Sequence, residues 1–333
     1  MKTIAFFNNK GGVGKTSLVY HLSWMFASLG QRVLSADLDP QANLTSMFLD
    51  DEALLAIWES ESNHSIYDAI VPLIEGTGDI RIPNIQNISA RLGLLAGNLS
   101  LSRFEDQLSE NWPKCLSGDA RAFRVISAFY RLLYRGATEI NADLVLIDVG
   151  PNLGAINRAA LISADYVVVP IGADLFSLQG LRNSGPALVF WRKEWKKRMA
   201  ELPGSLQNEP MPEGKMEPVG YVLLQHGARE NRPVKAYDNW AMRIPETYRE
   251  FVLKNTTPES DHLLVETDPN NLGMLKHYRS LMPMAMAARK PMFYLKPADG
   301  AIGAHVEAVK NCFEDFKRLA ERILNEIHIE VLA

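Results

Sequence analysis

Residues 8–17 read NNKGGVGKTS, a stretch that spaces glycine, lysine and hydroxyl side chains as they are spaced where proteins hold phosphate. Gly11, Gly12 and Gly14 let backbone N–H groups turn inward around an anion at the start of a helix, with Val13 between them. Lys15 then reaches toward the β- and γ-phosphates of a nucleotide, and the hydroxyl of Thr16, followed by Ser17, toward Mg2+. The common form of the loop is G-x-x-x-x-G-K-[ST], but Asn9 stands where its first glycine belongs and a second lysine, Lys10, follows. Three acids complete the set: Asp37 and Asp39 after RVLSA, and Asp148 at the end of LVLI. Carboxylates at strand ends beside such a loop can order Mg2+ through its waters or orient an attacking water. The plainer readings are a glycine turn with a surface lysine, a pair of acids capping the turn into Pro40, and an ordinary strand-end acid.

The elements that must position these residues follow from patterning. KTIAFF (2–7), RVLSAD (32–37), LGLLAG (92–97), ADLVLIDVG (142–150), DYVVVPIGAD (165–174), PVGYVLLQ (218–225) and KPMFYL (290–295) are short apolar runs that predict buried strands. Helical spacing of Leu18, Leu22, Met25, Phe26 and Leu29 ahead of Gly30 predicts a helix directly after the glycine loop. Further helices are expected over 122–133, 177–199 and 304–327, and residues 202–217 read as an exposed loop. Strand, glycine loop, helix and strand make a right-handed βαβ unit. Continued alternation predicts an α/β fold with a doubly wound, mostly parallel sheet flanked by helices.

Composition bounds the function. The chain has 333 residues, 47% hydrophobic and 22% charged, enough for a sizeable core. Its net charge of −4 gives no global field that draws it to nucleic acid, so such binding needs a local patch. Two cysteines, Cys115 and Cys312, far apart and in no C-x-x-C, argue for a reducing compartment and against a disulfide framework or cysteine-held metal. With no 18-residue apolar run and no leader-like start, a cytoplasmic protein is expected.

KGGVGKT resembles the deviant Walker A loop of the ParA/MinD superfamily of P-loop ATPases, in which a signature lysine lies just after the first strand. DLDPQAN (37–43) resembles the DLDPQGN segment of ParA proteins, and LVLIDVGPNLG (144–154) resembles ILIDCPPSLG, with Gly150 and Asn152 departing from the usual Pro and Ser. ADYVVVPIGADLFSLQGL (164–181) and MAARKPMFYL (286–295) also match, so the resemblance runs along the whole chain. It implies ATP and Mg2+ as cofactors, with residues 10–17 holding nucleotide and Thr16, Asp37 and Asp148 the metal. Asp39 would activate water, and Lys10 would cross to the partner's phosphates in an ATP-bound homodimer. It implies one ATPase domain over 1–333 with insertions near 105–140 and 200–275, and no N-terminal operator-binding domain.

DNA contact is the least local of these expectations. WRKEWKKR (191–198) places Arg192, Lys193, Lys196, Lys197 and Arg198 on one helix, a patch able to meet phosphates without reading sequence. HGARENRPVK (226–235) adds Arg229 and Arg232, which by the resemblance can instead serve the nucleotide or dimer region. The implied function is a DNA-associated partition or cargo-positioning switch whose hydrolysis is stimulated by a ParB-like or other partner, placing the protein on the nucleoid. The alternatives are a MinD-like membrane-cycling ATPase, or a ParA-like subunit of a multi-protein system without a direct DNA role. The mixed charge of the terminal helix and the absence of basic residues in IHIEVLA speak against the membrane.

Overall fold

The computed structural model describes residues 1–59, 64–226, 239–255, 264–278 and 280–330. Its strands are β1 (Lys2–Phe6), β2 (Val33–Asp37), β3 (Gln86–Ser89), β4 (Leu92–Leu95), β5 (Leu144–Asp148), β6 (Tyr166–Ile171), β7 (Glu217–His226) and β8 (Asn271–Lys276). They form one eight-stranded sheet in the order β3-β4-β2-β5-β1-β6-β7-β8. β3 pairs antiparallel with β4, and every other pairing is parallel.

The central strands are largely apolar because both of their faces are covered. Side chains alternate between two cores: Ala5, Val145, Ile147, Val167 and Val169 enter one, and Ile4, Phe6, Leu144, Leu146 and Val168 the other. Helices Ile66–Glu75, Phe104–Lys114, Ala128–Glu139, Ala155–Ile162 and Leu175–Met199 close the first. Lys15–Ser28, Leu281–Ala288 and Ala304–Glu326 close the second.

Several elements differ from the expectation, among them the extra antiparallel edge strand β3. KPMFYL is a 3-10 turn (Met292–Tyr294), in which Met292 and Phe293 are buried as plugs against neighbouring helices. Pro291, with no N–H to donate, introduces it. The last strand is instead β8, hidden from pattern reading because Asn271 and Gly273 interrupt a half-exposed edge strand. The helix expected over 122–133 is two, Ala120–Ile126 and Ala128–Glu139, which break at Ser127, whose hydroxyl donates to Phe123 O at 2.7 Å.

Candidate nucleotide site

β1 ends against the loop, and the loop runs straight into the helix Lys15–Ser28. Gly12 (φ +70°) and Gly14 (φ +94°) adopt left-handed backbone, which a side chain would strain. Gly14 caps the helix and has no side chain of its own to cover this positive helix end. Asn8, fully buried, anchors the loop: its Nδ2 donates to Pro170 O at 2.7 Å, and its Oδ1 accepts from Lys10 N at 3.1 Å. The helix Leu175–Met199 passes so close that a Cβ on Gly180 would lie 2.4 Å from Asn8 Oδ1.

Lys15 is buried, and its ammonium donates to Lys10 O at 3.1 Å. Burial lowers its pKa, while the charges of Asp148 and Asp39 pull the other way. The Lys10 ammonium turns back onto its own subunit, pairing with Asp174 Oδ2 and approaching Ser177 Oγ at 3.3 Å. Burial pushes the Asp174 carboxyl up, but Lys10 and the Ser177 donors outweigh it and hold the group below its usual value.

Parallel register sets Asp37 directly beside Asp148, at the ends of β2 and β5. Both are fully buried. Asp37 Oδ2 accepts from Thr45 N at 2.8 Å and Thr45 Oγ1 at 2.7 Å, whereas Asp37 Oδ1 and both Asp148 oxygens have no hydrogen-bond partner among the described residues. Burial pushes Asp37 up to about 7 despite the Thr45 donors, with the Asp39 charge adding to the rise. Burial raises Asp148 well above the carboxylate range, and the Asp37 charge adds to it. The nearby Thr16 hydroxyl opposes that rise without completing a hydrogen bond. Asp39 lies at the edge, its Oδ1 accepting from Gln41 N at 3.0 Å.

Buried carboxylate oxygens without donors are costly unless a cation meets them. Thr16, Asp37 and Asp148 therefore fit Mg2+, which takes one or two carboxylates and completes its shell with water and phosphate. Among the described residues no group of three or more His, Cys, Asp or Glu is placed to hold a metal ion by itself. Beside Gly14, Ser17 and Leu18 opens a cavity of about 250 Å3, walled by Leu224, Leu275, Tyr278, Met292 and Phe316. Its apolar walls suit a flat base whose phosphates lie on the glycine loop.

A glycine loop between a strand and a helix, with a buried lysine and paired strand-end acids, defines a P-loop nucleotide-binding protein. A family model described as an AAA domain matches residues 1–199, more than half of the chain. A ParA family protein of Chlamydia pneumoniae is 32% identical over 236 residues, which cover 62% of this chain and 82% of that one. The sporulation initiation inhibitor protein Soj of Bacillus subtilis is 31% identical over 180 residues, 54% of this chain and 62% of Soj, so the match spans about three-fifths of that relative. The ATP complex of a McdA variant from Cyanothece shares the fold with a TM-score of 0.64 at 15% identity, covering 100% of this chain and 98% of that chain. The chain belongs to the ParA-type family of P-loop ATPases.

The structure gathers residues 10–17, Asp37, Asp39 and Asp148 at one end of the sheet. The basic helix is corrected. Arg198 is buried, its guanidinium 4.0 Å from the Trp112 ring and its Nε donating to Trp112 O at 2.9 Å, and half-buried Arg192 donates to Met216 O. A guanidinium enters a core when a ring face and carbonyls satisfy it, and both are present here. Only Lys193, Lys196 and Lys197 remain exposed, the last paired with Glu194. Arg229 and Arg232 lie outside the described residues. Sequence reasoning missed Asn8, Asp174 and Thr45. The D-x-x-S of Asp174 and Ser177 is a helix-cap pattern that marks one of them, since Asp174 Oδ1 accepts from Ser177 N at 3.0 Å.

Proposed function

We propose that this chain binds MgATP, dimerises on it and hydrolyses it slowly, working as a DNA-associated partition or cargo-positioning switch stimulated by a partner protein. The observation that carries the reading is the buried Asp37–Asp148 pair, with three oxygens that have no donor among the described residues, beside Lys15 and the glycine loop. Thr16 and Asp148, backed by Asp37, hold Mg2+, which neutralises phosphate charge when bound. Lys15 and the loop amides orient the phosphates, and Asp39 at the rim positions the attacking water. Lys10 leaves Asp174 to touch the phosphates of a second copy. A relative from Caulobacter vibrioides named chromosome partitioning protein ParA supports the partition role.

The DNA contact rests on exposed Lys193, Lys196 and Lys197. Membrane cycling is disfavoured, because the apolar face of the helix Ala304–Glu326 is spent on the core through Phe316, Leu319, Ile323 and Leu324. Among the described residues no helix is long and apolar enough to cross a membrane.

The test is duplex-DNA binding and dimer mass measured with MgATP, with MgADP and without nucleotide, across a salt series. Binding should need ATP, weaken steeply with salt, fail in Lys10→Ala and persist in Asp39→Ala, which should lose turnover. Equal DNA binding in all nucleotide states would sink the switch, and dimerisation without DNA binding would leave the ATPase and remove the DNA role.

A further inference from the structure

The loop 149–154 joins the magnesium-side acid Asp148 to the helix Ala155–Ile162 and runs close beside the nucleotide site at two points. A Cβ placed on Gly11 would lie 3.8 Å from Pro151 Cγ, and one on Gly150 would lie 3.3 Å from Asp39 Oδ1. Its shape is held from inside by Asn157, only 1% exposed, whose Nδ2 donates to Gly150 O at 2.8 Å and Asn152 O at 2.7 Å. Asn152 Oδ1 in turn accepts from Gly154 N at 2.9 Å.

The far end of the loop is held from outside. Gly154 offers no side-chain cap to the helix it starts. A carboxylate 50 residues earlier does so instead: Glu105 Oε1 accepts from Ala155 N at 2.5 Å, and Glu105 Oε2 accepts from Ile156 N at 2.8 Å. Gly154 is needed for this approach, since a Cβ there would meet Glu105 Oε1 at 2.8 Å. The helix that carries Glu105 packs on its neighbours two turns further along. This helix, Phe104–Lys114, carries Trp112, whose ring lies 4.3 Å from the Arg158 guanidinium and 4.0 Å from that of Arg198. Trp112 also stacks on Trp195 of the long helix at 6.0 Å.

We infer that Glu105 is a positioning residue for ATP hydrolysis: it grips the start of the helix Ala155–Ile162 and so sets where the loop 149–154 stands against Asp39 and the glycine loop. A charged acceptor on two helix-end N–H groups is a strong, directional hold. Glu105 touches neither the glycine loop nor the three acids through any bond in the structure, so its loss should spare nucleotide binding and slow the chemical step. The inference rests on the hydrolysis reading above.

The test compares wild type, Glu105→Gln and Arg158→Lys as full chains. Gln keeps the size but not the charge, and its NH2 faces a helix N–H. Arg158→Lys loosens the same helix pair at Trp112 without touching the loop. Three quantities are read: kcat, affinity and stoichiometry for a fluorescent ATP analogue, and hydrogen exchange of amides 149–157 with MgATP. Glu105→Gln should lower kcat by about tenfold, leave affinity and stoichiometry within twofold, and speed exchange in 149–157 only. Arg158→Lys should keep kcat. Unchanged kcat or exchange in Glu105→Gln overturns the inference, as does an equal kcat loss in Arg158→Lys or a parallel fall in stoichiometry. Wild type without turnover removes the hydrolysis reading itself and the inference with it, a result distinct from a failing Glu105→Gln beside an active wild type.

Discussion

Replacing Asp174 by Asn would release Lys10 without undoing the helix that Asp174 starts. Asp174 Oδ1 accepts from Ser177 N at 3.0 Å, a cap that the Asn carbonyl can make equally well. Asp174 Oδ2 holds the Lys10 ammonium, and this charge is what Asn removes. The two side chains are 27% and 15% exposed, so the pair is partly shielded and lies at the upper end of surface ion pairs, about 1 kcal/mol. If Lys10 must leave Asp174 to reach a partner's phosphates, a symmetric dimer breaks two such pairs. The variant then avoids about 2 kcal/mol, which tightens the dimer about thirtyfold. The assay is sedimentation equilibrium with magnesium and a non-hydrolysable ATP analogue, with Lys10→Ala beside it. Asp174→Asn should dimerise at lower concentration than wild type, and Lys10→Ala should fail to dimerise. A dimer no tighter in Asp174→Asn would show that the Lys10–Asp174 pair does not compete with assembly.

Acid should weaken the fold through His21, which is fully buried between Ser17 O (2.7 Å from Nδ1) and Met292 N (3.1 Å from Nε2). Burial lowers its pKa from 6.5 to about 4, so the unfolded chain binds the extra proton first as pH falls. The His21 contribution is complete above pH 6.5 and falls by about 3 kcal/mol toward pH 4; Asp37 and Asp148, raised by burial, change in the opposite sense in both proteins, so the difference in urea stability between wild type and His21→Gln should carry the His21 slope. Asp148→Asn removes a buried charge without donors, so the nucleotide-free protein should gain about 1–3 kcal/mol. The extra thermal stabilisation by magnesium over ATP alone should vanish in the same variant. Lys193→Glu with Lys196→Glu should weaken ATP-dependent DNA binding and flatten its log–log salt slope by about 2, with Tm unchanged. Arg198→Ala should instead lower stability by about 2–3 kcal/mol, because it strips a guanidinium from Trp112, leaves the Trp112 carbonyl without that donor and removes one of the two cations paired with Glu194.

The glycine loop was readable because its chemistry is local: three glycines, a lysine and a threonine act through backbone they carry themselves. The central strands were readable because helices on both faces make most positions apolar, as Ala5 and Phe6 show by entering opposite cores. β8 was not, since an edge strand needs no such run and Asn271 and Gly273 broke it. KPMFYL carries the composition of a strand, yet no ladder accepts it, and Met292 and Phe293 pack as plugs instead. The charge run at 191–198 was equally ambiguous, because the same arginines suit water or a ring face.

Residue type and short spacing alone determined the phosphate loop, the strand-end acids and the alternation that builds a parallel sheet. Only the folded chain decided how they are used. Register brought Asp37 beside Asp148, a close approach drew Lys10 onto Asp174 across 164 residues, and the helix Phe104–Lys114 carried Glu105 to a helix end 50 residues away. The reason is physical. A backbone turn is specified by its own residues, whereas a charge's partner, and therefore its pKa and its role, is set by whichever distant segment packing delivers to it.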